Sequence, residues 1–128
     1  MMLVETEVRQ SPIHGLGVFL LEPVRAGQLV WKFDSRIDRV YAPEEIATLP
    51  AHVQRYLTTY STWHAGVGLW VLCGDNGRYF NHSDDPSTVS DGVSFGSDCA
   101  ARDLAVGEEL TSDYRTICDH VRQNGNGF

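Results

Sequence analysis

The sequence predicts a mainly β fold with one or two short helices, and three observations support this. Glycine and proline recur along the 128 residues and separate short runs rich in β-branched and aromatic residues. Only residues 43–62 show helical periodicity in place of short β-prone runs. No internal repeat, linker or low-complexity stretch divides the chain, and its length suits one core, so we expect a single domain over residues 1–128.

Five short runs bounded by turn residues are predicted to be strands. They read GVFLL, QLVWKF, LWVLC, GVSF and EELTSDY. Between LWVLC and RYF, the pair Asn76-Gly77 predicts a hairpin, because both central residues of a type I′ turn need positive φ. The segment DLAVGEEL predicts a second tight reversal that ends at Gly107.

The helical stretch, residues 43–62, predicts one or two helices. Pro43 and Pro50 each stand where the first turn of a helix tolerates proline. The apolar residues that follow have the spacing of one helical face, and they are Val53, Tyr56, Leu57 and Tyr60.

Charge and composition restrict the classes of partner. Ten Lys plus Arg against seventeen Asp plus Glu give a net charge of −7, which argues against nucleic acid and suits a basic protein or peptide partner. Taken alone, this charge indicates no more than a protein kept in solution by it. There is no apolar run of membrane-spanning length, and the N-terminus lacks the pattern of a signal peptide, so we expect a cytoplasmic protein without a membrane partner. The three cysteines form no C-x-x-C pair, which indicates neither a disulfide framework nor a thiolate zinc site.

The most polar stretch of the chain is RYFNHSDDPS, residues 78–87. A metal site is a weak interpretation, because His82 has no partner histidine nearby and the following acids do not fit a calcium loop. A Ser-His-Asp hydrolase is weaker, since the adjacent His82 and Ser83 would point to opposite sides of a strand. Taken alone, the stretch is typical of a polar turn after a strand.

Two further motifs accompany it in order, SPIHGLGVF (11–19) and ARDLAVGEELTSDY (101–114). Together the three motifs resemble the signature of SET-domain protein-lysine methyltransferases over residues 4–115, with 116–128 as a short tail. The chain is similar to a minimal, stand-alone SET domain without cysteine-rich segments before or after it. The resemblance implies a β-clip fold with a C-terminal pseudoknot, S-adenosylmethionine as cofactor, and methyl transfer to a lysine side chain of a protein substrate.

The resemblance also implies roles for individual residues. The cofactor-binding residues would be Gly15, Leu16, Gly17, Asn81 and His82. The glycine loop would approach the cofactor through its backbone, because residues without side chains allow close approach. Tyr114 would stand at the point of methyl transfer. Each of these residues also has a structural alternative: the glycines in turns, His82 as an ordering residue, and Tyr114 as a core aromatic.

The substrate channel is predicted to include Tyr60 and Ser112, with Tyr56 and Trp63 as further candidates for its wall. Many family members carry Phe or Tyr at the position of Ser112, two residues before the catalytic tyrosine. The smaller serine predicts a roomier pocket that permits di- or trimethylation. Because no cysteine-rich cap follows, closure is expected from RTICDHVRQNGNGF or from a second subunit in a homodimer.

Two other functions are also compatible with the sequence. One is a SET-fold binding module without catalysis, and the other is a methyltransferase acting on a non-lysine acceptor. Intact Asn81 and Tyr114 argue against loss of catalysis, whereas Ser112 leaves the choice of acceptor open.

Overall fold

The computed structural model describes residues 1–117, which form three small β-sheets and three short α-helices. The strands are β1 Thr6–Gln10, β2 Leu16–Leu20, β3 Leu29–Lys32, β4 Arg39–Tyr41, β5 Ser61–His64, β6 Leu69–Leu72, β7 Asn81–His82, β8 Thr88–Ser90, β9 Ser97–Ala100 and β10 Glu109–Ser112. The helices are α1 Pro43–Ala47, α2 Ala51–Tyr60 and α3 Tyr114–Ile117, with a 3-10 helix at Asn76–Tyr79. None of the described helices is both long and apolar enough to span a bilayer.

The sheets have strand orders β1-β2-β10-β7, β3-β9-β8 and β4-β6-β5. The first two sheets share one core, in which Val18 and Leu110 of the first sheet pack with Val30 and Ala100 of the second. A second core joins α1 and α2 to the third sheet, and its buried residues are Ile46, Leu57, Trp70 and Leu72. The molecule therefore has a strand-built half and a helix-covered half.

The run GVFLL becomes the central strand β2 because apolar residues fill both of its faces. It pairs with β1 on one side and β10 on the other, and Val18 and Leu20 are fully buried. Strands buried on both faces read as continuous apolar runs rather than alternating ones. The predicted reversal at Gly107 is also confirmed: this residue has a φ of 89° and lies in the turn that leads into β10.

The prediction of helices within residues 43–62 is confirmed, with the break at Pro50. Leu57 is buried against the third sheet, and Val53 packs against the same core. The other two residues of the predicted apolar face, Tyr56 and Tyr60, are exposed. Since α2 is covered on one side only, its core face is narrower than the sequence pattern predicts.

Two local predictions are wrong. Asn76-Gly77 opens a 3-10 helix rather than a hairpin turn, because Asp75 accepts a hydrogen bond from the Gly77 backbone N–H at 3.2 Å. The run GVSF is a loop, since the Asp91 carboxylate accepts backbone hydrogen bonds from Val93 and Ser97, both at 3.0 Å. In both places an aspartate side chain holds the backbone in a turn that competes with strand pairing.

Candidate active site

The polar motifs meet along β10. This strand pairs antiparallel with β2 and parallel with β7, so that Thr111 lies opposite Asn81 and Ser112 opposite His82. The chain after β7 then returns to β10: the Ser87 hydroxyl donates to the Glu109 carbonyl at 2.9 Å and accepts from the Thr111 N–H at 2.9 Å. This arrangement brings residues 81–88 and 109–114 together, as the predicted pseudoknot requires.

Asn81 connects the glycine loop to β10. Its side chain is nearly buried, and its amide nitrogen lies 3.1 Å from both the His14 and the Leu16 carbonyl oxygens. The same nitrogen lies 2.9 Å from the Glu109 carboxylate. The three acceptors orient the amide, and its N–H groups are used inside the protein. Direct contact of this amide with a cofactor stays a prediction.

Positions 15 and 17 of the loop need glycine for different physical reasons. Gly15 has a φ of 47°, and a side chain there would extend into open space. Gly17 is crowded: a Cβ atom would lie 2.9 Å from the Glu109 carboxyl carbon and 3.0 Å from Ser11 Cβ. Gly15 therefore leaves room for a ligand beside the backbone, whereas Gly17 leaves room for Glu109. Leu16, between them, is exposed.

Glu109 is a site residue that sequence reasoning missed. Its carboxylate accepts hydrogen bonds from the Ser11 hydroxyl at 2.9 Å and from the Asn81 amide at 2.9 Å. It therefore joins the first, second and third motifs at one point. The signal was present in the sequence as an acid at the start of an apolar strand, where a side chain facing inward must find hydrogen-bond donors.

His82 positions Tyr114. The Tyr114 backbone N–H donates to His82 Nδ1 at 3.1 Å, so the ring hydrogen is on Nε2, which lies 3.0 Å from Asp84 Oδ1. The two rings contact edge to face with centroids 5.4 Å apart. These contacts agree with an ordering role for His82, while backbone contact with a cofactor stays a prediction.

The Tyr114 hydroxyl is held as a neutral donor. It donates a short hydrogen bond to the Phe80 carbonyl oxygen. Burial, followed by the nearby Glu109 carboxylate, raises the pKa of Tyr114 to about 12. The phenol therefore stays protonated at neutral pH, and its oxygen is fixed in place next to β7 and β10.

A cavity of about 260 Å³ adjoins this site. Its aromatic wall consists of Trp31, Trp63 and Phe80, and its polar lining includes Ser112 and Asp98. The predicted channel residue Ser112 thus lines the cavity, as does Trp63. Sequence reasoning missed Asp98, which gave no distinctive signal because it lies in the short strand SDCA with few apolar residues.

The other predicted channel residue, Tyr60, does not line this cavity. It is exposed at the end of α2, where its ring lies 4.7 Å from that of Tyr56 and 5.8 Å from that of Tyr79. Its channel role stays a prediction. Closure of the site was predicted from residues 115–128, most of which lie outside the described residues. Among residues 1–117, no group of three or more His, Cys, Asp or Glu side chains is placed to hold a metal ion.

Comparison with known proteins gives one family. The sequence profile of the SET domain matches residues 15–115. The histone-lysine N-methyltransferase ATX2 of Arabidopsis thaliana is 31% identical over 123 residues, covering 83% of this chain. The chain spans about a tenth of the length of that relative, with 10% covered.

Solved structures agree on the fold. A Plasmodium falciparum protein assigned as a histone methyltransferase superposes with a TM-score of 0.62 at 22% identity, covering 88% of this chain and 95% of that one. Chaetomium thermophilum Polycomb Repressive Complex 2, bound to S-adenosylmethionine in an autoinhibited conformation, gives a TM-score of 0.68 at 20% identity. That comparison covers 94% of this chain and 16% of the other.

Proposed function

The chain belongs to the SET-domain family, and from this premise we propose that it transfers methyl groups from S-adenosylmethionine to lysine side chains of a basic protein segment. One observation carries the proposal. The parallel pairing of β7 with β10 brings Asn81 to the glycine loop and His82 to Tyr114. Phe80 and Ser112, which neighbour these residues in the chain, line the cavity. A cofactor at the glycine loop and an acceptor in the cavity would then approach each other near Tyr114.

The residues around the glycine loop fit the cofactor. The positive φ of Gly15 and the open space beside it leave room for a ligand next to the loop. Neighbouring Asn81 and His82 add polar groups that are already held in place by the fold. When bound, S-adenosylmethionine supplies an electrophilic methyl group carried on a positively charged sulfur.

The chain itself contributes orientation and desolvation. A free lysine has a pKa of about 10.4, and only the neutral amine is nucleophilic. Partial burial in a cavity and a nearby positive charge both disfavour the ammonium form, so that proton loss to water becomes easier. The Tyr114 oxygen, fixed by Phe80, would orient the amine for in-line attack, and such alignment supplies much of the rate.

The proposed substrate class, a basic protein segment, rests on the charge of the protein and of the cavity lining. The protein carries a net charge of −7, and the cavity is lined by an acid and by aromatic rings but by no Lys or Arg among the described residues. Acidic surfaces attract basic segments. Because ATX2 is named a histone-lysine methyltransferase, core histones are the first probe to use.

The test is methyl transfer by Tyr114→Phe beside the unaltered protein. We expect turnover to fall about a hundredfold or more, because the group that orients the amine is removed, while cofactor binding by calorimetry stays nearly unchanged. Labelled methyl recovered in acid-hydrolysed lysine distinguishes lysine from other acceptors. Tyr41→Phe, on β4 in the other core, is the matched control and should keep full turnover.

Unchanged turnover in Tyr114→Phe would remove this residue from its role. Cofactor binding without transfer to any basic protein would favour the non-catalytic binding module. The number of methyl groups is read in the same assay: we propose that Ser112 permits di- or trimethylation, and exclusive monomethylation contradicts this.

We further propose a homodimer and a cytoplasmic location, both of which are predictions from the sequence. Light scattering on the purified protein measures the first, with a mass of one chain as the contradicting result. Cell fractionation measures the second.

A further inference from the structure

The sheet β3-β9-β8 forms one wall of the cavity, and Asp98 lies in the middle of that wall. Asp98 is directly opposite Trp31 on one neighbouring strand and Ser90 on the other. Directly opposed residues of adjacent strands project from the same face of a sheet. All three residues line the cavity, so this row forms part of its wall.

The electrostatics of the cavity are those of a cation site. Among its lining residues Asp98 is the only acid, and no Lys or Arg of the described chain joins it. The titratable neighbours in the lining are His64 and Cys73, and burial raises the pKa of the Cys73 thiol to about 12, which keeps it neutral.

The carboxyl group of Asp98 is in a place that disfavours its charge. Burial, followed by the nearby Asp91 carboxylate, raises the pKa of Asp98 to about 7. A hydrogen bond with Ser90 and the N-terminal ammonium group act in the opposite direction and do not cancel the rise. A cation entering the cavity would stabilise the ionised carboxylate.

Two other polar atoms of the cavity have no partner among the described residues. Ser112 is 3% exposed, and neither its Oγ nor Trp31 Nε1 makes a hydrogen bond with any described residue. Buried polar groups without partners are rare and point to a missing ligand or water. The faces of Trp31, Trp63 and Phe80 suit an alkylammonium group, because aromatic rings attract cations.

We propose that Asp98 is a specificity-determining residue that binds the ammonium group of a substrate lysine as it enters this cavity. The identity of the ligand as a substrate side chain rests on the proposed function, whereas the cation site itself does not. The contact is a charge-assisted hydrogen bond from the ammonium to the carboxylate, and no covalent step is involved. Proton loss to water follows before methyl transfer.

The test is a titration with butylammonium chloride at constant ionic strength and about pH 8.5, where the amine is still protonated and Asp98 is ionised. Tryptophan fluorescence reports binding, because Trp31 and Trp63 line the cavity. We expect saturable binding that Asp98→Asn weakens about tenfold or more and that Asp98→Glu retains. The control Glu44→Gln removes one exposed negative charge on α1 and should bind like the unaltered protein.

Three results would overturn the proposal. They are the absence of saturable butylammonium binding, binding that Asp98→Asn leaves unchanged, and equal binding of uncharged 1-butanol. Binding should also weaken at about pH 5.5, where Asp98 is protonated. A pH dependence that persists in Asp98→Asn would count against Asp98.

This titration contains no cofactor and no methyl transfer, so its failure is distinguishable from failure of the proposed function. Where methyl transfer to a lysine peptide is measured, Asp98→Asn should raise KM about tenfold with kcat nearly retained. A fall in kcat with unchanged KM would contradict a binding role. Circular dichroism of each variant confirms that the fold is kept.

Discussion

At the glycine loop, the Asn81 amide lies within hydrogen-bonding distance of three acceptors, whereas in the cavity Ser112 Oγ contacts no hydrogen-bond partner among the described residues. Both side chains are nearly buried, and they lie on neighbouring strands. The loop region uses its polar groups to hold three chain segments together, while in the cavity region Ser112 Oγ and Trp31 Nε1 have no hydrogen-bond partner among the described residues.

This difference separates a region whose polar groups are held in place by contacts within the protein from a region in which two buried polar atoms have no partner among the described residues. An unsatisfied buried polar group costs about 1–3 kcal/mol, so a fold gains stability by pairing each one. The loop cluster does so through Glu109, which accepts from both Ser11 and Asn81. In the cavity, Ser112 Oγ has no partner among the described residues, and the hydrogen bond of Asp98 with Ser90 does not offset the cost of burying its charge, as expected where a ligand supplies the missing contacts.

The largest expected effect comes from breaking the loop cluster. Glu109→Ala should lower the free energy of unfolding by about 3 kcal/mol, because it leaves the Ser11 hydroxyl and the Asn81 amide without their charged acceptor. Gly17→Ala should cost about 2 kcal/mol, since its methyl group would collide with Glu109. Denaturant unfolding measures both changes.

The double variant tests whether the two losses share one cause. Removing the Glu109 side chain frees the space that the methyl group of Gly17→Ala needs, so the combined cost should be smaller than the sum of the single costs. Gly15→Ala, which meets no atom but has positive φ, is the control at about 1 kcal/mol. Strict additivity of Gly17→Ala with Glu109→Ala would contradict the steric explanation.

The next largest expected effect is a gain in the stability of the protein when the charge of Asp98 in the cavity is removed. The pKa of Asp98 is about 7 in the folded state, above the ordinary value of 3.8, so the folded protein binds this proton more tightly than the unfolded chain. Stability therefore falls as pH rises from about 4 to 7 and stays low above that. The full shift corresponds to at most about 4 kcal/mol, and we expect about half because the side chain keeps some solvent contact.

Accordingly, Asp98→Asn should stabilise the protein by about 2 kcal/mol at pH 8, and the gain should shrink toward pH 4. Thermal unfolding at several pH values measures this. Glu44→Gln, fully on the surface, should show little change across the same range. A destabilised Asp98→Asn at pH 8 would show that the carboxylate is satisfied within the fold.

The smallest effects come from a matched pair of buried serines, each 3% exposed. Ser87→Ala should cost about 1.5 kcal/mol, because it removes the acceptor of the Thr111 N–H and the donor to the Glu109 carbonyl. Ser112→Ala should not lower stability and should raise it by up to about 1 kcal/mol, because it removes a buried hydroxyl that has no hydrogen-bond partner among the described residues. Equal costs for the two variants would remove the contrast between the regions.

The sequence predicted the elements whose signals are local. The apolar run of β2, the helical periodicity before Ser61 and the glycine reversal at Gly107 were each confirmed. Strands such as β1 and β9 were missed, because their sequences TEVRQ and SDCA carry few apolar residues and become strands only through their neighbours. Such pairing is a tertiary effect that overrides weak local propensity.

The residues of the candidate site also divide into those that the sequence predicted and those whose position depends on tertiary structure. Motifs in order identified Gly15, Asn81, His82 and Tyr114, and the structure brings these residues to one region. The position of Tyr60 outside the cavity depends on which face of α2 meets the third sheet, and periodicity alone does not choose between two aromatic-bearing faces.

By itself, therefore, the sequence determined the fold class, the family and the polar residues of the motifs, because each depends on spacing along the chain. Only the tertiary structure decided that Glu109 joins all three motifs and that Asp98 faces a cavity beside Ser112. Those contacts join residues that are distant in sequence, through strand register and the crossing at β10. The face to which a strand residue points depends on how its strand pairs with neighbouring strands, and no local sequence pattern specifies which strands these are.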